Sequence, residues 1–295
     1  MKRVFYLLGI ILIFSLLSCN RNVKEESAGK NKIFNTWLSL NQMKYEEPAV
    51  PLSLIAEISR QDFLPWAGIV SHHILAHDYI DAWFYQLSKM RNPKRFYIIS
   101  PDHFSLSLEH YSLTTGAWDS GFGLVETDKK KVKELAELLQ VDLDERVFEM
   151  DHGVSALMPY IKKHFPDTKV VPIIVSGDPI VNTYIIGRLA DVLEKEFTKE
   201  GKIDNFLIIS SDFSHRGDIE ETKTNDFYSQ QYLINTANVQ WNIVWCDNKS
   251  GIYILDRLGK KNMASLIFSH TNSYEISGVN EDITSYFFVY FGDAE

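Results

Sequence analysis

The arrangement of apolar runs and histidines near the start of the folded region constrains this chain most. Ala67–Val70 is a short apolar run that stops at Ser71-His72-His73. An amphipathic run with helical spacing follows, and a second apolar run, Phe96–Ile99, then stops at Ser100-Pro101-Asp102-His103. This order predicts strand, histidine loop, helix, strand and histidine loop. In a parallel βαβ unit both loops open on the same edge of the sheet, where a metal site or an acid/base site can form.

The same pattern returns later in the chain. Phe206–Ile209 is another apolar run, and it stops at a polar segment that contains Asp212 and His215. Asp151-His152 begins a separate helical segment, so five of the nine histidines follow apolar runs or start an element. The alternation of strands and helices predicts an α/β fold, a single domain with a central, largely parallel or mixed sheet flanked by helices.

Hydrophobic periodicity predicts the remaining elements. Strands are expected at Tyr111–Thr115, Lys169–Val175 and Ile283–Phe291, and helices at Asp128–Leu139 and Thr183–Phe197. The segment Ala117–Gly123 is predicted as a turn-rich loop near the site, and Cys246 is placed in a mostly helical stretch.

The N-terminus has the pattern of a bacterial lipoprotein leader. Lys2 and Arg3 are followed by the apolar run Val4–Leu17, which is short for a membrane-spanning helix of about 20 residues. The run ends in Leu16-Leu17-Ser18-Cys19, which resembles a lipobox. An ordinary signal peptide or an N-terminal anchor helix is the alternative.

This pattern predicts three parts. Residues 1–18 form a signal peptide, residues 19–40 a flexible tether that begins at lipidated Cys19, and residues 41–295 the folded domain. A protein of this kind is held by its lipid anchor to a membrane of the bacterial cell envelope, outside the cytoplasm.

Charge and cysteine content limit the function further. The formal net charge of −9 argues against a broad nucleic-acid-binding face. The chain has two cysteines, Cys19 and Cys246, so lipidation of the first leaves the second without an intrachain partner. Outside the cytoplasm a lone thiol is expected to be buried, metal-bound or reactive.

The histidine loops support two kinds of chemistry. Neutral imidazoles bind zinc, iron or copper, a thiolate adds a soft ligand, and Asp151 and Asp212 would orient the imidazoles. Alternatively, His and Asp act as general acid and base without a metal, or Cys246 is a nucleophile. The chain has no G-x-S-x-G, P-loop or G-x-G-x-x-G motif, which disfavours serine acyl transfer, NTP hydrolysis and Rossmann-type dinucleotide binding.

The order of the motifs resembles the Memo-like family, called AmmeMemoRadiSam system protein B in prokaryotes, over Gly68–Phe291. That family is similar in fold to the class III extradiol dioxygenases. The motifs are Ser-His-His, Ser-Pro-Asp-His-Phe, Ser-Gly-Phe-Gly, Asp-His-Gly-Val-Ser with Met-Pro-Tyr, Val-Pro-Ile-Ile-Val, Ser-Ser-Asp-Phe-Ser-His and a later single Cys.

The resemblance implies a pocket whose metal ligands are two histidines and a cysteine. Carried over, these are His72, His103 and Cys246, with His73 as the alternative to its neighbour. The residues that the resemblance places around the pocket as catalytic groups are His152, Asp212 and His215.

The chain departs from the family pattern at several positions. Ser71 replaces the usual Pro, Asp151 replaces Glu, and Ser155 stands where a Glu is usual. Cys246 is followed by Asp247 rather than the common Gly. The family name also implies a radical-SAM protein and an AMMECR-type protein as cytoplasmic companions, which a lipoprotein outside the cytoplasm would not meet.

The sequence therefore predicts a membrane-tethered metal protein with iron or copper, or else zinc, on His72, His103 and Cys246. The expected activity is that of an oxygenase or oxidase on a small molecule. One alternative is a non-catalytic protein that binds a small molecule or peptide in the same pocket. Another is a zinc hydrolase, with a metal-bound water as nucleophile.

Overall fold

The computed structural model describes residues 32–36, 63–259 and 262–294. The predicted signal peptide, Cys19 and most of the predicted tether lie outside these residues. Within the tether segment, Ile33–Asn35 forms a short strand. All described residues belong to one compact unit, Asn31–Glu295.

The strands, in chain order, are β1 (Ile33–Asn35), β2 (Pro65–Val70), β3 (Arg95–Pro101), β4 (Tyr111–Leu113), β5 (Ala117–Asp119), β6 (Leu124–Val125), β7 (Lys169–Val175), β8 (Asn205–Ser210), β9 (Met263–Asn272) and β10 (Ser285–Asp293). The α-helices are α1 (His77–Met90), α2 (Lys129–Leu139), α3 (Glu145–Met150), α4 (His152–Ser155), α5 (Met158–His164), α6 (Thr183–Glu194), α7 (Gly201–Asp204), α8 (Ile219–Ile234), α9 (Lys249–Gly259) and α10 (Ser273–Ser277).

The central sheet has seven strands in the order β4-β7-β3-β8-β2-β10-β9. Its middle strands β7, β3, β8 and β2 are parallel, whereas β4, β10 and β9 pair in antiparallel fashion. The structure therefore confirms the predicted α/β fold with a mixed sheet flanked by helices.

Both faces of this sheet are buried, which explains why its parallel strands are continuous apolar runs. Along β3, Phe96 and Ile98 enter one hydrophobic cluster, and Tyr97 and Ile99 enter the other. Helices α1 and α5 pack on the first face, whereas α2, α6 and α9 pack on the second.

A close contact between Gly68 and Trp83 positions α1, the helix that follows the first histidine loop. A Cβ added to Gly68 in β2 would lie 2.4 Å from Cζ2 of Trp83 and 2.8 Å from the carbonyl oxygen of Val289. Trp83 also stacks on Tyr290, whose hydroxyl donates to the Trp83 carbonyl oxygen. The indole therefore requires glycine at this point of the strand.

The sequence predicts a loop at Ala117–Gly123, and the structure corrects this. Ala117–Asp119 is β5, which pairs with β1 and β6 in a second sheet of three strands. The Trp118 side chain is buried, with its ring centroid 5.0 Å from that of Phe34. The strand thus depends on a partner more than eighty positions earlier, which local turn signals do not reveal.

The prediction of a mostly helical stretch around Cys246 is also corrected. A 3-10 turn covers Trp241–Ile243 and α9 begins at Lys249, so Cys246 lies in the irregular segment between them. The strand β9 that follows was not predicted. It is an edge strand paired to β10 alone, and it lacks the clean alternation of buried and exposed residues that marks a strand in sequence.

Candidate metal centre

Three neighbouring parallel strands bring the predicted site residues together. His72, His103 and Asp212 each lie two residues beyond the end of their strand, β2, β3 and β8 respectively. Since β8 lies between β2 and β3, the three loops share one edge of the sheet. The structure thus places these residues at the carboxyl edge where the sequence pattern predicts a site.

The His72 imidazole is buried and its orientation is fixed by Ser210. The Ser210 hydroxyl donates to the carbonyl oxygen of Gly153 at 2.5 Å, so it accepts a hydrogen bond from Nδ1 of His72 at 2.9 Å. In the neutral ring this leaves the proton on Nδ1 and an unprotonated Nε2. The lone pair of Nε2 therefore faces the interior of the site.

The His103 imidazole is oriented in the same sense by Asp151. Its Nδ1 lies 3.0 Å from Oδ1 of Asp151, and a carboxylate can only accept, so Nδ1 carries the proton. Asp151 is held in turn by the backbone N–H groups of His103 and Gly153, which donate to it at 2.9 and 2.8 Å. The carboxylate thus fixes the side chain and the loop together.

The two Nε2 atoms, of His72 and His103, lie 3.0 Å apart. A third potential ligand atom, Oδ2 of Asp247, lies 3.2 Å from the first nitrogen and 3.5 Å from the second. Two ligand atoms about 2.1 Å from one ion lie about 3.0 Å apart at a right angle and about 3.4 Å apart at a tetrahedral angle. The measured separations therefore fit one metal ion on these three side chains.

Two further groups of potential ligand atoms within 4.8 Å of one another emerge from the part of the chain that is described. One comprises His72, His103 and His152, and the other comprises His72, Asp212 and Asp247. Neither group contains Cys246. The structure thus contains histidine and aspartate groups that could hold a metal ion.

The Cys246 side chain is directed toward the protein interior. It packs against the hydrophobic cluster on the α9 face of the sheet and lies near the Ser211 side chain. Burial, followed by the charge of Asp247, raises the pKa of the Cys246 thiol to about 12. The metal-ligand role predicted for this thiol stays a prediction.

The three predicted catalytic residues lie at different depths. The His152 ring stacks on His103 with a centroid separation of 4.3 Å. Asp212 is buried, accepts a hydrogen bond from the Ser71 hydroxyl at 2.5 Å, and has Oδ2 3.6 Å from Nε2 of His72. His215 is exposed at the rim, with Nε2 4.0 Å from the same Asp212 oxygen.

His73 occupies a different place from its neighbour. Its Nδ1 is 2.5 Å from the Tyr286 hydroxyl, and its backbone N–H donates to Ser71 at 3.0 Å. Ser71 therefore links the His73 backbone to Asp212. Of the two adjacent histidines, His72 is the one that the structure brings to His103.

The carboxylates around the imidazoles favour positive charge. Burial opposes protonation of His103, but the nearby carboxylates of Asp151 and Asp247 raise its pKa to about 10. The pKa of His72 is also raised, because Asp212 and Asp247 outweigh the effect of burial. Burial and the charges of His72 and His103 lower the pKa of His152 to about 4. Burial likewise disfavours the Asp247 carboxylate, but its neighbours His72 and His103 lower the pKa.

Sequence reasoning missed Asp247 and the hydroxyl groups of Ser71 and Ser210. A signal for the first was present, because an Asp stands directly after Cys246 where the family pattern has Gly. Ser71 carried the same kind of signal, because it stands where the family pattern has Pro, whereas Ser210 carried none, since hydroxyl residues are common at strand ends.

The fold and the site together define an α/β protein with a histidine-rich centre at the carboxyl edge of its parallel strands. A family model described as Memo-like protein matches residues 63–280, which is well over half of the 295-residue chain. The chain belongs to the Memo-like family.

Several curated relatives are named MEMO1 family protein. The protein of Pyrobaculum aerophilum is 30% identical over 142 residues, which cover 46% of this chain and 48% of that protein. The protein of Caldivirga maquilingensis is 29% identical over 181 residues, 58% of each chain. The chain thus matches about half the length of these two relatives. A protein of Saccharolobus islandicus is 25% identical over 243 residues, 78% of this chain and 81% of that one.

Among solved structures, an uncharacterized protein from Escherichia coli K12 has a TM-score of 0.47 at 14% identity, covering 77% of this chain and 99% of that one. This likeness is too low to add to the family assignment. Across the described ranges, none of the helices has both the length and the apolar character needed to cross a membrane.

Proposed function

We propose that this protein binds one divalent transition-metal ion between His72 and His103 and uses it in a redox reaction on a small molecule. The observation that carries the proposal is the 3.0 Å separation of the two Nε2 atoms, with both Nδ1 atoms engaged by Ser210 and Asp151. At this distance the two Nε2 atoms share a proton in the metal-free protein. A metal cation bound there would take the place of that proton.

Iron or copper is the metal that we propose, and zinc is the alternative. Imidazole binds all three, so the two histidines alone do not select among them. A redox metal with an open coordination position would supply electron transfer to or from oxygen or a small substrate. The exposed Phe104 and the half-buried His152, whose ring centroids are 6.1 Å apart, line the side from which a small molecule can approach.

The residues around the pair would handle protons. His152 stacks on His103 and is the proposed proton acceptor nearest the metal ligands. His215 at the rim is proposed to exchange protons with solvent, and Asp212 lies between it and His72. Asp212 would therefore orient the imidazole and stabilise its charged form.

The proposed setting is a membrane surface in the bacterial cell envelope, with the chain anchored through lipidated Cys19. The basic, apolar and lipobox segments at the N-terminus support this proposal. The proposed ligand is a small molecule or a peptide rather than nucleic acid, since the net charge is −9.

The test is the metal content of the full chain carrying Cys19→Ala, purified in detergent, anaerobically and without chelator. His103→Ala is compared with His110→Ala, an exposed histidine outside the site. Elemental mass spectrometry should find stoichiometric iron or copper in the parent and in His110→Ala, and little in His103→Ala. Oxygen-consumption screens would follow from that result.

Each of the other outcomes would favour a different function. Stoichiometric zinc that is lost in His103→Ala would favour a hydrolase and overturn the redox proposal. If the parent neither retains nor takes up any metal, the proposed metal site is wrong, and a non-catalytic binding protein is favoured. Equal metal content in all three proteins would locate the ion elsewhere.

A further inference from the structure

We infer that Asp247, and not the adjacent Cys246, is the third protein ligand of this metal, so that the centre is a two-histidine, one-carboxylate site. The inference rests on the proposed metal site and deepens it. It departs from the cysteine that the family resemblance implies.

One oxygen of Asp247 is anchored and the other is available. Oδ1 accepts hydrogen bonds from the Ser211 hydroxyl at 2.9 Å and from the backbone N–H of Asp212 at 3.0 Å. The backbone N–H of Asp247 donates to the Asp212 carbonyl oxygen at 3.0 Å. These bonds fix the carboxylate, so the position of Oδ2 is set before any ligand binds.

The Oδ2 atom is buried and, among the described residues, has no hydrogen-bond partner. A buried carboxylate oxygen without a partner is costly, and such an atom in a folded protein calls for an explanation. Its neighbours are the imidazole nitrogens of His72 and His103, which lie 3.2 and 3.5 Å away in ion-pair contact. Three potential donor atoms thus surround one point, and a cation there would satisfy all of them.

The adjacent thiol has different neighbours. Cys246 packs against the hydrophobic cluster that includes Ile252 and Tyr232. Among the described residues, the groups of potential ligand atoms around His72 include Asp247 and not the thiol.

The choice of ligand changes the chemistry of the site. Two imidazoles and one carboxylate with open positions are typical of non-haem Fe(II) centres, whereas a thiolate favours Cu(I) and zinc. The inferred centre should therefore prefer Fe(II), Mn(II) or Co(II) to Cu(I). It would leave positions open for oxygen or for a bidentate small molecule.

The test uses the full chain with Cys19→Ala and Co(II) as the probe, under anaerobic conditions. Asp247→Asn and Cys246→Ser are compared with Asp167→Asn, an exposed carboxylate remote from the site. Loss of an orienting partner alone weakens metal binding by about 10–100-fold, so loss of a ligand should weaken it by at least about 100-fold. Asp247→Asn should show this loss in a chelator competition titration, whereas Cys246→Ser and Asp167→Asn should keep the parent affinity.

The absorption spectrum of the Co(II) protein gives a second readout. The parent should lack the near-ultraviolet charge-transfer band of a cobalt thiolate. Such a band, present in the parent and absent in Cys246→Ser, would overturn the inference, as would full Co(II) affinity in a folded Asp247→Asn.

His72→Ala and His103→Ala separate this inference from the proposal on which it rests. If both variants lose Co(II) and Asp247→Asn does not, the metal site stands and the third ligand is wrong. If neither histidine variant loses Co(II), or if the parent binds none, both the site and the ligand are wrong.

Discussion

The Nε2 atoms of His72 and His103 lie 3.0 Å apart, although the two residues are separated by a helix and a strand. Each ring is fixed through its other nitrogen, one by the Ser210 hydroxyl and the other by the Asp151 carboxylate. The two Nε2 atoms therefore converge at a hydrogen-bond distance. The proposed metal site would be preorganised, because the rings would not need to reorient when an ion binds.

The adjacent histidines His72 and His73 should differ sharply in their effect on metal binding. His72→Ala removes a nitrogen of the convergent pair, and we expect metal affinity to fall by at least about 100-fold. His73→Ala removes a hydrogen bond to Tyr286 at the side of the site and should leave metal affinity unchanged. Chelator competition with Co(II) measures both, and circular dichroism checks that both variants fold. The reverse ranking would show that the wrong histidine is assigned.

The Asp151 carboxylate should control metal affinity without touching the metal. The Asp151 carboxylate accepts hydrogen bonds from the ring of His103 and from two backbone N–H groups. In Asp151→Asn only one side-chain oxygen remains as an acceptor. The amide NH₂ would then face a donor, and the His103 ring would lose its fixed orientation. We expect metal affinity to fall by about 10–100-fold.

Asp142→Asn, at an exposed position, is the matched control for this change. The same titration compares the two variants. Unchanged affinity in Asp151→Asn would mean that the backbone alone positions His103.

The strand-end residues were predictable because their positions follow from a short-range pattern. His72, His103 and Asp212 each follow a continuous apolar run, and parallel strands buried on both faces produce such runs. Adjacent placement then follows from the order of the strands in the sheet. The sequence predicted the edge but not that β8 would lie between β2 and β3.

The contribution of Asp247 was not predictable in the same way. It lies in an irregular segment between a 3-10 turn and α9, where no periodicity tells which side chain turns toward the site. In such a segment, a shift of one position along the chain would exchange Cys246 for Asp247 as the side chain that faces the site. The direction is decided by hydrogen bonds to Ser211 and to the Asp212 backbone, which only the folded chain displays.

A buried ion cluster should make the free energy of unfolding depend on pH in the acid range. Asp81 on α1 contacts Lys163 and His164 on α5 at 2.6 Å each, and these helices follow the segments that carry His72 and His152. Burial opposes the charge of Asp81, but hydrogen bonds from His164 and Lys163 lower its pKa below the ordinary value. Between the folded and the unfolded pKa, the unfolded chain binds more protons, so the free energy of unfolding rises with pH in that window.

We therefore expect the contribution of Asp81 to be complete above the ordinary carboxyl pKa of about 4 and lost as pH falls through the lower, folded value. Asp81→Asn should be less stable at pH 7 by about 3–5 kcal/mol, because it removes the charge of a buried carboxylate that Lys163 and His164 contact. Urea unfolding from pH 2 to 7 measures both effects. The stability gap between parent and variant should narrow at the acid end, and a gap that is constant with pH would contradict the assignment.

The wall of the metal centre leaves no room for a side chain at Gly153. An added Cβ would lie 2.0 Å from Oγ of Ser100 and 3.0 Å from Cε1 of His103. Gly153→Ala should therefore displace the His103 ring, lower the free energy of unfolding by about 1–3 kcal/mol, as overpacking typically does, and weaken metal binding. Gly187→Ala is the comparison, because its Cβ would approach no atom closer than 3.3 Å and alanine favours a helix. Urea unfolding and Co(II) titration of both variants decide the point. If Gly153→Ala has the same free energy of unfolding and the same metal affinity as the parent, the wall is less tightly packed around His103 than these distances indicate.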